Sequence, residues 1–495
     1  MLKITEKYAE IIFILGIIVS LFSFFFFLPV VVSLIYKENV HLIFALVGIF
    51  SLISGLGISF LFRNPQDQFR SKRELQPRDG FLLVVLVWVI LSFISSLPFY
   101  FHFETLGLTG AIFEAISGLT TTGATVFGGL DQMSKGILIW RALLQWIGGM
   151  GILVLTIAIL PLLGVGGMQV FRAEASGPMK DKKLTPRIAE TAKALWAIYF
   201  ILTIFCILSY WLAGMSLFDA VAHAFTTISI GGLSTHDQSF AYFNSVAIES
   251  IAIFFMIIAG VNFTLHFSAL RNATLKMYWT SLENRCFLFV LVFGLVVIFL
   301  SLYFSGENLH FLDRLRIVTF NVISIATTTG YATQDYSQWP PIAFSIMLLL
   351  SCFTTSSGST GGGVKMIRAI IMFKQAGREL SRTMHPHAII PLSIGETTVA
   401  NRVVMAVLAF MFFYLVTLVV TFFLLMATGL SAGTALSASL ACLNNLGPAL
   451  FELGPTSNYG SLSNIQLSIL SLAMLLGRLE LLTIFVFFSG AFWKK

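Results

Sequence analysis

Four stretches of this chain set small and polar residues ahead of a glycine inside otherwise apolar sequence. They read Ile-Ser-Gly-Leu-Thr-Thr-Thr-Gly at 116–123, Phe-Thr-Thr-Ile-Ser-Ile-Gly-Gly at 225–232, Ile-Ser-Ile-Ala-Thr-Thr-Thr-Gly at 323–330 and Leu-Ala-Cys-Leu-Asn-Asn-Leu-Gly at 440–447. The first and third agree at six of eight positions. Irregular backbone at membrane depth is tolerated only where it is enclosed in protein or lines a water-filled path. The chemistry open to such residues is coordination by main-chain carbonyl oxygens, which replace a cation's water without binding it through net charge, so the ion can also leave. Gly123, Gly232, Gly330 and Gly447 permit the positive φ and close approach that aiming several carbonyls to one side requires. A short apolar helix before each loop would bring its negative C-terminal end toward the ion. Close packing between membrane helices accounts for a single such loop. Four, at matching places in an internal repeat, point to one pore.

The elements that must position these loops follow from hydropathy. The chain is 57% hydrophobic and 11% charged, where soluble domains carry about 25% charged residues. Its mean hydropathy is +0.90, and many apolar runs exceed the roughly 18 residues that suggest a membrane helix. The expected fold is an all-α polytopic membrane protein with four tandem helix–pore loop–helix repeats around one central pore. Two extra N-terminal helices, 11–35 and 40–62, precede them. With their connector they make a unit 1–79, followed by repeats at 80–193, 194–285, 286–402 and 403–495. The outgoing helices are expected at 137–160, 243–270, 340–373 and 463–493, giving ten spans. With both termini inside, 24 of the 30 Lys and Arg fall on the inner side, as the positive-inside rule requires. The net charge of +7 is therefore no argument for nucleic acid. Eleven acids fall outside (Glu38, Glu104, Glu114, Asp131, Asp219, Asp237, Glu249, Glu307, Asp313, Asp335 and Glu452), an acidic mouth that would concentrate cations.

Two further features bear on conduction. The third outgoing segment is interrupted by Ser-Ser-Gly-Ser-Thr-Gly-Gly-Gly at 356–363, where three successive glycines destabilise a helix by about 1 kcal/mol each relative to alanine. The break reads either as a kink or as a flexible loop across the pore below the filter. Arg478 is the one basic residue placed mid-helix, costly there unless paired or facing water. It reads either as half of a structural ion pair or as an electropositive barrier in the ion path. Arg141 and Glu249 read as structural pairing residues, and His223 and His266 as packing or pore-support groups. Cys206, Cys286, Cys352 and Cys442 match no zinc spacing and read as buried inert thiols. The triple glycine lacks the G-K-[ST] ending of a phosphate-binding loop, since Val364 and Lys365 follow. No nucleophile–base pair or paired carboxylates stand out, so no enzyme and no bound cofactor are expected.

On these stretches, together with Ser-Ile-Gly-Gly-Leu-Ser-Thr-His-Asp at 229–237, Asn-Asn-Leu-Gly-Pro at 444–448 and Leu-Gly-Arg-Leu-Glu at 476–480, the chain resembles the Trk/Ktr/HKT superfamily of potassium transporters. It is most similar there to the bacterial Trk-H-type potassium uptake subunits, and the resemblance covers nearly the whole chain. It implies a filter of carbonyls from Thr121, Thr122, Ile230, Gly231, Thr328, Thr329, Asn445 and Leu446 with the adjoining glycines, holding potassium as the transported ion. Glycine at all four filter positions goes with potassium preference in that superfamily, with leakage of sodium or rubidium. The resemblance also implies an intramembrane gate at Ser357, Gly358, Ser359, Thr360, Gly361, Gly362 and Gly363, and a barrier at Arg478. It further implies a homodimer in a bacterial inner membrane with both termini cytoplasmic, and a cytoplasmic nucleotide-binding regulator of the Trk-A type, for which connectors 172–193 and 374–402 are candidate docking surfaces. An ion-coupled secondary cation transporter (proton or sodium symport) stays open beside the channel.

Overall fold

The computed structural model describes residues 2–63, 77–162, 188–306, 310–395, 397–479, 481–485 and 490. The connectors at 64–76 and 163–187, Glu307, Glu480 and the terminal Lys494 and Lys495 lie outside the described residues.

The fold is helical and polytopic. Among the described residues the only strands are the two-residue antiparallel pair Ser393–Ile394 and Thr397–Thr398. The N-terminal layer is α1 (Leu2–Ser23), a 3-10 turn at Phe24–Phe26, α2 (Phe27–Ile35) and α3 (His41–Leu61). α1 and α3 approach closely because Gly16 and Gly55 face each other: a Cβ on Gly16 would come within 2.7 Å of the Gly55 oxygen. Small residues serve this purpose where lipid offers no hydrophobic drive. The layer docks on the first repeat through Trp140, which packs against Phe22, Phe26 and Phe44 and donates to the Ser95 oxygen at 3.1 Å.

Each repeat has an incoming helix, a short helix and an outgoing helix. The first is α4 (Pro77–His102), α5 (Gly107–Leu119) and α6 (Lys135–Leu162). The second is α7 (Ile188–Leu212), α8 (Leu217–Ile228), then α9 (Val246–Gly260) and α10 (Phe263–Arg271). A short α11 (Lys276–Thr280) leads to the third: α12 (Leu282–Phe304), α13 (Phe311–Ala326), α14 (Pro341–Phe353) and α15 (Met366–Met384). The fourth is α16 (Asn401–Ala427), α17 (Ala432–Leu443), α18 (Asn464–Arg478) and α19 (Leu481–Phe485). Side-chain caps start several of these helices. Ser216 and Ser431 accept from the main chain of Asp219 and Thr434, and Ser463 forms a capping box with Gln466.

The repeats close into a ring. Each outgoing helix packs on the short helix of the next repeat: α6 on α8, α9 on α13, α14 on α17, and α18 back on α5. The incoming helices turn large apolar side chains outward, among them Phe93, Trp211, Phe289 and Phe423, as a lipid-facing surface requires.

The outgoing helices depart from the expected unbroken spans. α6 leaves helical geometry at Gly151 (φ −42°, ψ −116°). α9 and α10 meet at a 91° bend, where Asn262 caps the new helix by accepting from Thr264. α18 stops at Arg478 and α19 begins at Leu481. The break expected only in the third repeat is present, between Phe353 and Met366, but all four outgoing segments are interrupted. Six helices are long and apolar enough to cross a membrane uninterrupted among the described residues, and the bent α9–α10 pair makes a seventh.

Candidate functional site

The site is built at the C-terminal ends of the four short helices. In each repeat three successive N–H groups fold back onto the helix just ended. Thr120, Thr121 and Thr122 donate to the oxygens of Ile116, Gly118 and Ser117 at 2.8, 3.0 and 2.9 Å. Ser229, Ile230 and Gly231 repeat the pattern onto Phe225, Thr227 and Thr226. So do Thr327, Thr328 and Thr329 onto Ile323, Ile325 and Ser324, and Asn444, Asn445 and Leu446 onto Leu440, Cys442 and Ala441. This is a Schellman ending, which needs a left-handed residue just past the cap and usually finds glycine there. Here the residue is Thr121 (φ 56°), Ile230 (54°), Thr328 (61°) or Asn445 (54°). Positive φ is rare for β-branched residues and stores about 1–3 kcal/mol at each position. Two residues on, Gly123, Gly232, Gly330 and Gly447 are positive again at 84°, 76°, 89° and 92°. The N–H groups are committed backward and φ alternates in sign.

The glycines mark where the loops meet. A Cβ on Gly123 would run into the Gly231 oxygen, one on Gly232 into the Thr329 oxygen, and one on Gly330 into the Leu446 oxygen. On Gly447 it would come within 2.6 Å of the Thr122 oxygen. Loop one thus touches two, two touches three, three touches four and four touches one. Of the residues expected at the filter, Thr122, Gly123, Gly231, Gly232, Thr329, Gly330, Leu446 and Gly447 make these contacts. Among the described residues no donor reaches the oxygens of Thr121, Thr122, Ile230, Thr328, Thr329, Asn445 or Leu446. Gly231 differs: its oxygen accepts from Gln145 Nε2 at 2.5 Å, and Gln145 Oε1 accepts from Leu233 at 3.1 Å.

Side chains brace the ring from behind. Thr120 donates to the Ile116 oxygen at 2.7 Å and meets Thr122 Oγ1 at 2.7 Å. Thr327 and Thr329 do the same in the third loop. Asn445 Nδ2 crosses from loop four to Thr122 Oγ1 at 2.9 Å, and the Tyr459 hydroxyl donates to the Gly447 oxygen at 2.8 Å. These braces were not foreseen. Gln145 had a signal, an amide alone in the apolar run 142–147; Tyr459 had none.

Several of the acids expected on the outer side have structural partners. Glu114 is buried and pairs with Arg141 Nε at 2.7 Å while accepting from Thr125 and Val126. Glu249 is buried and bidentate with Arg316 at 2.8 and 2.7 Å. Arg141 and Glu249 are structural, but each pairs with a residue not singled out for it, Glu114 and Arg316, rather than with the other. Asp219 lies 3.5 Å from His236 Nε2, whose Nδ1 meets Asp131 at 2.5 Å and whose ring stacks on Tyr242. Burial alone would push the His236 pKa down. The two carboxylates outweigh it and hold the imidazole above its ordinary value. Burial pushes the Asp131 carboxyl up, and the hydrogen bond and charge of His236 outweigh it and hold the carboxyl below its ordinary value.

Beneath the ring lies the segment between α14 and α15. Gly362 donates its N–H to Thr328 Oγ1 at 2.9 Å, and a Cβ there would run into the Asn444 oxygen. Thr360 Oγ1 donates to the Ile228 oxygen at 3.1 Å. The tip therefore touches loops two, three and four. Arg478 reaches the same level. It donates to the Thr360 oxygen at 2.9 Å and to the Gly148 and Gly149 oxygens at 2.6 and 3.2 Å, tying repeats three, one and four together under the ring.

His223 and His266 are packing groups: His223 meets the Asp219 oxygen and Ser234, and His266 the Tyr278 hydroxyl and the Ile258 oxygen. Cys206, Cys352 and Cys442 are buried, while Cys286 is only half-buried. No cluster of three or more metal-ligating side chains occurs among the described residues.

A family model described as TrkH, cation transport protein, matches residues 58–495. The Trk system potassium uptake protein TrkH of Salmonella typhimurium is 44% identical over 484 residues, covering 97% of this chain and 98% of that protein. Its namesake in Vibrio parahaemolyticus is 44% identical over 493 residues, covering 99% and 100%. The crystal structure of the potassium transporter TrkH from Vibrio parahaemolyticus matches with a TM-score of 0.87 at 41% identity, covering 99% of this chain and 100% of that one.

Proposed function

The chain belongs to the TrkH family of cation transport proteins, and from that premise we propose that it takes up potassium through the four-loop ring. The observation that carries this reading is the cyclic contact of the four glycines with the next loop's carbonyl, at loops whose φ signs alternate identically. Thr121, Thr122, Gly123, Ile230, Gly231, Gly232, Thr328, Thr329, Gly330, Asn445, Leu446 and Gly447 form the filter. Their unshared carbonyls replace the ion's water, and the negative ends of α5, α8, α13 and α17 favour a cation there. Residues 357–363 form the gate, supported by their seat under three of the loops. Arg478 is the barrier beside it, a guanidinium that opposes cations until it withdraws. No covalent chemistry and no cofactor belong to this chain.

The protein sits in the inner membrane with both termini cytoplasmic, works as a homodimer with one pore per protomer, and is governed by a nucleotide-binding partner of the Trk-A type. Within 374–402, α15 offers Lys374 and Arg382 for such docking, whereas 172–187 lies outside the described residues. Reconstitution in liposomes tests the function. Potassium flux without a coupling gradient, increased by the nucleotide-bound partner, is the expected result. Uptake that collapses without a proton or sodium gradient would make the protein a symporter instead.

A further inference from the structure

The gate segment is an excursion whose base is stitched shut. Val364 donates to the Cys352 oxygen at 2.7 Å and Met366 to the Thr355 oxygen at 2.8 Å, so the chain re-enters beside the point where it left. Its outer edge is held by the bend of the second repeat: Ser356 donates to the Gly260 oxygen and Phe263 to the Gly358 oxygen, both at 3.1 Å. These are main-chain contacts that any sequence would make. A side chain from outside the segment joins them. Glu283, in the first turn of α12, accepts from the Ser357 N–H at 2.6 Å. The same carboxylate faces the N–H of Ile367, in the first turn of α15, and the charge of Lys365. Ser357 opens the excursion, whereas Lys365 and Ile367 close it. A single carboxylate therefore meets both ends.

We propose that Glu283 is the clamp that holds the gate beneath the filter, a positioning residue that sets how readily the loop leaves. The proposal rests on the reading of 357–363 as the gate. The physical reason is geometric. For the tip to leave Thr328 and Asn444, the two ends must shift relative to each other, and one carboxylate cannot follow both. Two main-chain donors on one acceptor group make the hold, and the positive N-terminal end of α15, a helix of 19 residues, adds to it. Lys365 contributes from the other side: it takes φ 74° and turns its ammonium back onto the Gly361 oxygen. Removing the carboxylate thus loosens the ends while leaving the filter residues untouched.

The experiment uses the full chain in liposomes without the regulator, with rubidium influx as the probe. Glu283→Gln keeps shape and one acceptor oxygen but turns the other into a donor amide, and Glu283→Ala loses both acceptors. The clamp predicts basal influx up by about tenfold in E283Q and more in E283A, with the sodium-to-potassium permeability ratio unchanged. A merely structural role would lower flux along with the melting temperature, never raise it, and that result overturns the proposal. E283Q keeps the test decisive should E283A not fold. A third variant, lacking residues 361–363, separates the two readings. Raised flux there with unchanged flux in folded E283Q and E283A rejects the clamp but keeps the gate. Unchanged flux in all three, folded by melting temperature, rejects the gate and the clamp with it.

Discussion

Gly123→Ser tests the ring most directly, and its size can be worked from the backbone. Any residue with a Cβ at φ 84° bears left-handed strain of about 1–2 kcal/mol. That cost says nothing about conduction, so it needs a control. Gly214, in the turn between α7 and α8, has φ 104° and nothing within 4 Å of an added Cβ. Gly214→Ser therefore carries the strain alone. At Gly123 the added atom lands on the Gly231 oxygen, which also accepts from Gln145. Relief requires that oxygen to shift by about 1 Å, a scale on which a packed contact forfeits up to about half of its well. The shift falls on one oxygen of the ring, so the coordination shell becomes lopsided while the pore stays open. We expect G123S to lose about tenfold in preference for potassium over sodium, about 1.4 kcal/mol, and G214S to lose none. Bi-ionic reversal potentials in planar bilayers measure both. A folded G123S with the wild-type permeability ratio would remove Gly123 from the filter and, with it, the inference from loop contacts to coordination.

Arg478→Gln removes the guanidinium from the oxygens of Thr360, Gly148 and Gly149; rubidium influx should rise several-fold at unchanged selectivity, and equal influx would make Arg478 a structural tie. Glu114→Ala strands the buried Arg141 charge, at a cost of about 3–5 kcal/mol. Its melting temperature should fall sharply, and the double variant E114A/R141A should recover part of the loss; no recovery would mean the pair is not coupled. His236 is held above its ordinary pKa, so its contribution to stability is complete below about pH 6.5 and fades as pH rises through the raised value. The melting temperature of wild type minus that of His236→Asn should therefore shrink with alkalinity, and a difference that stays level from pH 6 to 9 counts against the clasp with Asp131 and Asp219.

Much of the arrangement was legible because it rests on composition and repetition. The four glycines, the short helices before them and the polar break at 356–363 all stand out against apolar sequence. Their mutual contacts follow once the repeats close. The rest left no mark, for identifiable reasons. Positive φ at Thr121, Ile230, Thr328 and Asn445 is imposed by the helix endings and opposed by three of those four residue types. The bend at Val261 and Asn262 sits in unbroken apolar sequence, and only the capping asparagine hints at it. The acids of the outer face look alike in sequence, yet Glu114 and Glu249 are spent on arginines that lie 27 and 67 residues away. Partners that far apart are joined by tertiary structure, which hydropathy does not encode.

The two halves of the site are built from different parts of the polymer, and that separates what mutations in each can do. The second and fourth loops share almost nothing with the first beyond the final glycine, yet all four make the same three backward hydrogen bonds with the same two positive φ angles. What repeats is therefore main-chain geometry, and side chains matter at the ring only as braces or obstructions. Beneath it the symmetry is gone. All four outgoing helices break, but among the described residues only the third carries a loop that reaches the filter, and only the fourth carries an arginine at the break. On the proposed reading, selectivity resides in what the repeats have in common and gating in what distinguishes them. Substitutions at the four glycines should then alter which ion passes, while those at Glu283, Thr360 or Arg478 alter how often any ion does. A variant of the lower group that changed the permeability ratio would show that loop and filter move as one body, through the Gly362–Thr328 bond that joins them.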